Sequence, residues 1–233
     1  MKKEVFFLEE ELRSFLKEMS EEEYRRFSSN LLPGVENILG VRVPTLRKLA
    51  KEILKKDWKY MIEDYEILYF EERMIQGLVT AMIKVDKKEK FEYISKFIKN
   101  IDSWSICDSF CSTLKVSRED KAEMWEFLEP YFKSKEEYEV RFAFVMALMY
   151  FIEEKYLDEI FKYADSIQNS AYYAQMAVAW AISICYVSFR KETLNYLQNS
   201  KLDEFTYNKS IQKMIESNRV SKEEREMLKK YKK

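Results

Sequence analysis

Apolar and polar positions alternate along the chain with a helical period. Apolar residues recur three and four positions apart, as on the buried face of an amphipathic helix. From Leu68 onward, paired helical segments repeat at roughly 34 residues and open near Tyr69, Ser103, Lys135, Ala171 and Asp203. This pattern predicts an all-α fold, a right-handed α-α superhelix (solenoid) of HEAT-like helical hairpins with a concave binding face.

The two segments of each pair differ in polarity. The first is the more apolar, as in FAFVMALMYFI, and the second is the more charged, as in LDEIFKYADSI. A solenoid has this asymmetry because one layer lies between neighbours and the other faces solvent. The tetratricopeptide and ankyrin patterns are absent, so irregular HEAT-like pairs fit best. The concave face of such an array favours a protein or nucleic-acid partner over a small molecule.

Caps, prolines and glycines mark the element boundaries. Pro44 is expected to open a helix, and Pro130 to kink or end one. The stretch from Leu31 to Val43 holds two of the three glycines but is too apolar for an open linker, so residues 1–233 are expected to form a single domain. Helix-capping patterns, each completed by a Glu three residues later, begin at Ser20, Asp86, Ser134 and Ser221.

Composition excludes several other classes of protein. The 233 residues include 3 Gly, 3 Pro and no His, which is too few turn formers for a β-sandwich or barrel. The three glycines are scattered, whereas Rossmann and P-loop sites need them clustered. With 40 Lys plus Arg against 41 Asp plus Glu, the net charge is -1, so any site for an anion must be a local patch.

Cysteines and hydropathy indicate a cytoplasmic protein. Cys107, Cys111 and Cys185 lie in apolar helical patterns and are expected to be buried free thiols in a reducing compartment. Neither a metal site nor a cofactor is expected, since the chain has no His. The N-terminus lacks the apolar stretch of a signal peptide. The longest uncharged run, Ser166 to Phe189, carries Gln, Asn and Ser and is expected to be a buried core helix rather than a membrane span.

Trp104 and Asp108 are the first candidate functional residues. They are four positions apart, so on a helix they share one face. An aspartate in a buried stripe is costly unless it is paired or faces a cleft. Two interpretations remain open: a structural cap or ion pair with a basic side chain such as Arg141, or a carboxylate at the bottom of a groove beside an indole.

Arg141 and Trp180 are the next candidates. Arg141 stands at the head of an apolar helix and needs an anion, which could be Glu139, Asp108 or a ligand phosphate. Trp180 is flanked by small residues that let another backbone or a ligand approach its ring. A structural ion pair and a core tryptophan are the alternatives.

These segments together resemble the AlkD-like DNA alkylation repair family, monofunctional DNA glycosylases built from HEAT-like repeats. The resemblance covers most of the chain and rests on the order and spacing of four segments: the loop from Gly40 to Arg47, W-S-I-C-D-S-F from Trp104, the arginine heading the helix from Val140 to Phe151, and Tyr207 to Ser217. It implies a catalytic cleft formed by Trp104, Trp180, Asp108 and Arg141.

The resemblance also implies a substrate and a mechanism. The substrate would be double-stranded DNA containing cationic alkylated bases such as 7-methylguanine or 3-methyladenine, excised without deep base flipping. A carboxylate would stabilise the oxocarbenium ion and orient water, the indoles would contact the cationic sugar, and the arginine would hold a phosphate. A monomer without a cofactor is expected.

Two basic stretches could contact phosphates, although ordinary solvated helix faces are the alternative. Arg42 to Lys59 has seven basic residues, and Lys209 to Lys233 has nine basic residues against four acidic ones. The first candidates for DNA binding are Arg42, Arg47, Lys209 and Lys213. Besides a glycosylase, the sequence leaves open a noncatalytic binder of distorted or branched DNA and a HEAT-like protein-interaction scaffold.

Overall fold

A computed structural model describes residues 2–167 and 169–233, with side chains from Glu9 onward. Over these residues the regular structure is entirely helical, which confirms the all-α prediction. The helices are α1 (Lys2–Glu18), α2 (Glu22–Leu31), α3 (Val43–Ile53), α4 (Trp58–Glu63), α5 (Phe70–Met82), α6 (Lys87–Ile98), α7 (Trp104–Thr113), α8 (Lys121–Phe132), α9 (Glu137–Tyr150), α10 (Glu154–Ser166), α11 (Tyr172–Ser188), α12 (Arg190–Asn199), α13 (Glu204–Glu216) and α14 (Lys222–Lys229).

The helices group into two compact units, Met1–Lys115 and Val116–Lys233. In the first unit α3, α5 and α7 pack side by side in chain order, and α4 and α6 lie against α5. In the second unit α9, α11 and α13 form a similar row, flanked by α8, α10, α12 and α14. Within each unit this is the packing of a stacked helical repeat. A single domain over residues 1–233 stays a prediction.

The row helices repeat at the predicted period. From α5 to α13, the starts of alternate helices are 34, 33, 35 and 32 residues apart. Each start lies within one or two residues of the opening that the sequence predicts. The period therefore corresponds to one helical hairpin along the chain.

Burial follows the predicted polarity of the two layers. Every residue of α9 from Val140 to Leu148 is buried, whereas α10 buries one face and exposes the other. Within the long uncharged run, Tyr172–Ser188 form α11, and nine of its residues are buried. None of the described helices has the length and apolarity needed to cross a membrane. Cys107, Cys111 and Cys185 are buried and form no disulfide, as predicted, and burial raises the pKa of Cys185 to about 12.

Two of the predicted caps are confirmed. The Asp86 carboxylate accepts the backbone N–H of Glu89 at 3.1 Å before α6. Ser221 and Glu224 form a reciprocal capping box before α14. Pro44 lies in the first turn of α3, where its missing N–H leaves no helical bond unmade. Pro130 lies in the last turn of α8, two residues before the helix ends.

The other two cap predictions are wrong. The Ser20 hydroxyl donates to the carbonyl of Lys17 at 2.7 Å, and α2 begins at Glu22 without a side-chain cap. The Ser134 hydroxyl donates to the Glu139 carboxylate at 2.6 Å and accepts the N–H of Glu136 at 3.0 Å. In both places the serine hydroxyl has another partner close by.

The predicted loop spans residues 32–42 and is fixed by a buried acid. The Glu71 carboxylate, on α5, accepts the backbone N–H groups of Leu39, Gly40 and Val41 at 3.0, 2.8 and 3.2 Å. Charge-assisted hydrogen bonds of this kind are the stronger ones. The loop is therefore bound to the α3–α5–α7 row and fixes the start of α3.

Candidate functional site

Helix α7 carries two of the candidate residues, Trp104 and Asp108. It begins after Ser103, whose hydroxyl accepts the N–H of Ile106 at 3.4 Å. Trp104 and Asp108 lie one turn apart and are both half-buried. The core-facing positions of the helix are taken by other residues, namely Ile106, Cys107, Phe110 and Cys111. The Asp108 carboxylate therefore lies outside the sealed core of the first unit.

The Trp104 indole is anchored through its edge. Its Nε1–H donates to the carbonyl of Leu31 at 2.9 Å, at the end of α2. This hydrogen bond ties α7 to the beginning of the loop that Glu71 holds further along. The ring is only half-buried, so part of its surface faces solvent. Trp104 thus has a structural role, which sequence reasoning did not foresee.

Arg47 reaches the other end of α7. Its two terminal guanidinium nitrogens donate to the hydroxyls of Thr113 at 2.6 Å and Ser112 at 3.3 Å. Positive charge is favourable here because the last carbonyls of a helix carry partial negative charge. Arg47 therefore joins α3 to α7 and places a half-buried guanidinium at the end of the helix that carries Asp108.

Arg42 is exposed and engaged by an acid. Its guanidinium donates twice to the Glu21 carboxylate, with both distances 2.8 Å, and lies 4.9 Å from the centre of the Tyr24 ring. The hydrogen bond from Arg42 keeps the pKa of Glu21 below its ordinary value. A phosphate that binds Arg42 must compete with this carboxylate.

Arg141 and Trp180 lie on adjacent helices of the second unit. Arg141, on α9, is only 6% exposed, and its Nη1 donates to the carbonyl of Tyr173 at 3.2 Å, in the first turn of α11. Trp180, on α11, is half-buried between the buried Ala179 and Ala181. Trp125 provides the contrast, because it is 5% exposed and contacts four other rings. Trp180 is therefore not a sealed core tryptophan.

The two candidate lysines share helix α13, which packs on α11. Lys209 and Lys213 are both half-buried. The Nζ of Lys209 lies 5.6 Å from the centre of the Phe205 ring. The catalytic and DNA-binding assignments of the eight sequence candidates stay predictions.

The sequence gives no signal for the buried acid Glu72. Its carboxylate accepts the Arg13 guanidinium at 2.9 Å and the Tyr65 hydroxyl at 2.7 Å, and it also accepts two backbone N–H groups. Burial and the hydrogen bond from its own hydroxyl to Glu72 raise the pKa of Tyr65. Acids in the first turn of a helix are ordinarily solvated, so their type and position do not predict burial.

Metal-ligating side chains do not cluster among the described residues. Nowhere in residues 9–167 or 169–233 do three His, Cys, Asp or Glu side chains lie close enough together to hold a metal ion. The candidate residues of the two units offer a carboxylate, two indoles and cationic side chains. Such groups can stabilise a developing positive charge and bind anions.

Comparison with known proteins supports one family. A family model described as DNA alkylation repair enzyme matches residues 8–214. No curated protein and no solved structure matches the chain significantly. The matched range contains all eight candidate residues and extends from α1 into α13.

Proposed function

Since the chain belongs to the DNA alkylation repair enzyme family, we propose that it is a monofunctional DNA glycosylase. It hydrolyses the N-glycosidic bond of cationic N3- and N7-alkylated purines in duplex DNA. The observation that carries this proposal is the half-buried Asp108 carboxylate, one helical turn from the half-buried Trp104 indole.

The chemistry needs little acid catalysis. An alkylated purine already carries positive charge, so it leaves as a neutral base when the bond to C1′ breaks and its electron pair moves onto the ring. Positive charge then develops on the sugar, as in glycoside hydrolysis. Asp108 stabilises this oxocarbenium ion and orients the water that attacks C1′. The proton lost by the water passes to solvent through the carboxylate.

The other three proposed catalytic residues bind and orient the nucleotide. Trp104 and Trp180 offer partly exposed indole surfaces, which attract a cationic sugar or base. Arg141 contributes positive charge for a backbone phosphate next to the lesion, and its bond to the Tyr173 carbonyl orients the guanidinium. No deep base pocket is required, because the base need not be protonated inside the protein.

Duplex binding is proposed to use local positive charge. Arg42, Arg47, Lys209 and Lys213 contact phosphates, which fixes the lesion relative to Asp108 without reading sequence. The protein acts as a monomer in the cytoplasm, and three buried cysteines without a disulfide are consistent with a reducing compartment.

One experiment separates this function from its alternatives. The protein is incubated with methylated duplex DNA, the released base is measured by mass spectrometry, and binding to the duplex is titrated at two salt concentrations. We expect free 7-methylguanine or 3-methyladenine and salt-sensitive binding. Binding without release indicates a noncatalytic binder of distorted DNA, and absence of both indicates a protein scaffold.

A further inference from the structure

Four aromatic rings form a continuous chain at the N-terminal ends of α9, α11 and α13. Tyr138 stacks on Tyr173 with a centroid distance of 5.9 Å and an interplanar angle of 24°. Tyr173 meets the edge of Tyr172 at 5.1 Å, and Tyr172 contacts Phe205 at 5.9 Å. We name Tyr138, Tyr173, Tyr172 and Phe205 the aromatic ladder.

One end of the aromatic ladder is open to solvent. Tyr172 is 51% exposed and Phe205 is 36% exposed. Within the described part of the second unit, they are the only large hydrophobic side chains with this degree of exposure, and they touch each other. Apolar side chains exposed singly need no explanation, but adjacent exposed rings indicate a binding surface.

Positive charge lies beside the exposed rings. A groove of about 610 Å³ runs along α13 next to the aromatic ladder. The walls of the groove carry two lysines and one glutamate, so their net charge is positive. The Nζ of Lys209 lies 5.6 Å from the Phe205 ring centre. The lining residues are Glu204, Phe205, Asn208, Lys209, Gln212 and Lys232.

The backbone beneath the aromatic ladder is fixed. The N–H of Tyr173 donates to the Glu137 carboxylate at 2.6 Å, and the carbonyl of Tyr173 accepts from Arg141 at 3.2 Å. Both bonds join the first turn of α11 to α9. The backbone that carries Tyr172 and Tyr173 is therefore held against α9, which lowers the entropic cost of binding a flexible ligand.

We propose that the aromatic ladder is a stacking platform for the unpaired bases of single-stranded DNA, whose sugar-phosphate chain lies along the α13 groove. Every base has a π-face that can stack on Tyr172 and Phe205, and each phosphate carries the negative charge that Lys209 and Lys232 attract. Aromatic rings interleaved with a basic groove are the combination that single-strand binding requires. This activity differs from base excision in duplex DNA and does not depend on Asp108.

The test measures the affinity for fluorescein-labelled oligo-dT and for a duplex of equal length by anisotropy. The double variant Tyr172→Leu/Phe205→Leu keeps apolar side chains but removes the rings, and we expect its single-strand affinity to fall about 10-fold or more. Tyr172→Phe/Phe205→Tyr keeps two rings and should bind as the wild type does. Phe27→Leu, at a ring that is 57% exposed in the first unit, is the matched control and should change nothing.

The lysines are tested through the salt dependence. Lys209→Gln/Lys232→Gln should lower the slope of log affinity against log salt by about 0.7 for each phosphate that the variant no longer neutralises. Absence of single-strand binding by the wild type, or equal affinity of the double leucine variant, overturns the proposal. If the double leucine variant sediments differently while its DNA binding is unchanged, the rings form a protein interface. That result also overturns the proposal.

Base release is measured on the same proteins. The leucine variant should release methylated base at the wild-type rate, since neither ring belongs to the proposed catalytic group. Single-strand binding through the aromatic ladder without base release refutes the glycosylase and leaves this inference standing. Base release without single-strand binding supports the glycosylase and overturns this inference.

Discussion

The Trp104 indole has an edge and two faces with separate roles. The edge donates to the Leu31 carbonyl and holds α7 against the end of α2. The partly exposed ring is the surface that the proposed mechanism uses against a cationic sugar. Because phenylalanine keeps a ring but has no N–H, substitution can separate the two roles.

Trp104→Phe is expected to lower the free energy of unfolding by about 1 kcal/mol, the typical net value of one hydrogen bond. It should release methylated base within about 10-fold of the wild type, because a face of the ring remains. Trp104→Leu should lose far more activity. Urea unfolding and single-turnover base release check this, and equal activity of the two variants would refute a role for the ring.

For single residues, the helical period predicts which side chains share a face but not which distant groups they contact. Trp104 and Asp108 could be assigned to one face because they are four residues apart on a helix. The bond from Trp104 to Leu31 joins residues 73 apart, and Glu71 binds groups about 30 residues away. Nothing local in the sequence indicates such partners, so both contacts required the structure.

At the scale of elements, the loop at residues 32–42 depends on Gly40. Its φ of +91° lies in the left-handed region, and a Cβ would stand 2.6 Å from the carbonyl oxygen of Glu21 and 2.7 Å from the backbone nitrogen of Arg25. Gly34 has a similar φ of +84°, but a Cβ there meets nothing within 4 Å. An alanine would therefore have a strained backbone at either position, but its Cβ would clash with other backbone atoms only at Gly40.

Gly34→Ala is expected to cost about 1 kcal/mol of unfolding free energy, the penalty for a left-handed alanine. Gly40→Ala should cost at least about 2 kcal/mol more, since the clashing atoms are backbone and cannot rotate away. Chemical denaturation of both variants measures the difference. Equal losses would show that the contact between Gly40 and α2 contributes nothing.

Lys90 caps the C-terminal end of α5 from the neighbouring helix α6. Its Nζ donates to the carbonyls of Thr80, Ala81 and Ile83 at 2.7, 2.8 and 3.2 Å. The last carbonyls of a helix have no backbone N–H partner within the helix, and the Lys90 ammonium donates to carbonyls of this kind. Burial lowers the pKa of Lys90 from 10.5 to about 8.

This pKa sets the direction of a pH effect on stability. Between pH 8 and 10.5 the unfolded chain keeps the Lys90 proton and the folded chain loses it, so the contribution of Lys90 to stability rises with pH. The wild type should therefore gain stability relative to Lys90→Met across this window, and not below it. Unfolding free energies at several pH values test this, and a constant difference would contradict it.

Most helix starts were predictable because the repeat spacing and several caps agree. The openings near Tyr69, Ser103, Ala171 and Asp203 each lie one residue before a helix. The cap predictions at Ser20 and Ser134 are wrong because each hydroxyl forms a hydrogen bond with another nearby group. A capping pattern cannot distinguish these outcomes, since the competing partners are also local.

For the whole molecule, a net charge of -1 means that DNA affinity must come from local positive charge. The log of duplex affinity should fall with the log of salt, and Lys209→Gln or Lys213→Gln should each reduce the slope by about 1. Lys229→Gln is the control, because that lysine is exposed and pairs with Glu226 at 2.6 Å. Slopes that are equal in all three variants and the wild type would exclude α13 from the phosphate contacts.

The proposed mechanism requires the Asp108 carboxylate to stabilise the sugar cation. Its most direct test is single-turnover release of 7-methylguanine from methylated duplex at saturating protein, so that binding does not limit the rate. Asp102→Asn, at a carboxylate that pairs with Arg73 at 3.1 Å, is the matched control. Asp108→Asn should release base about 100-fold or more slowly, and the control should change little; equal rates in both variants would contradict this role of Asp108.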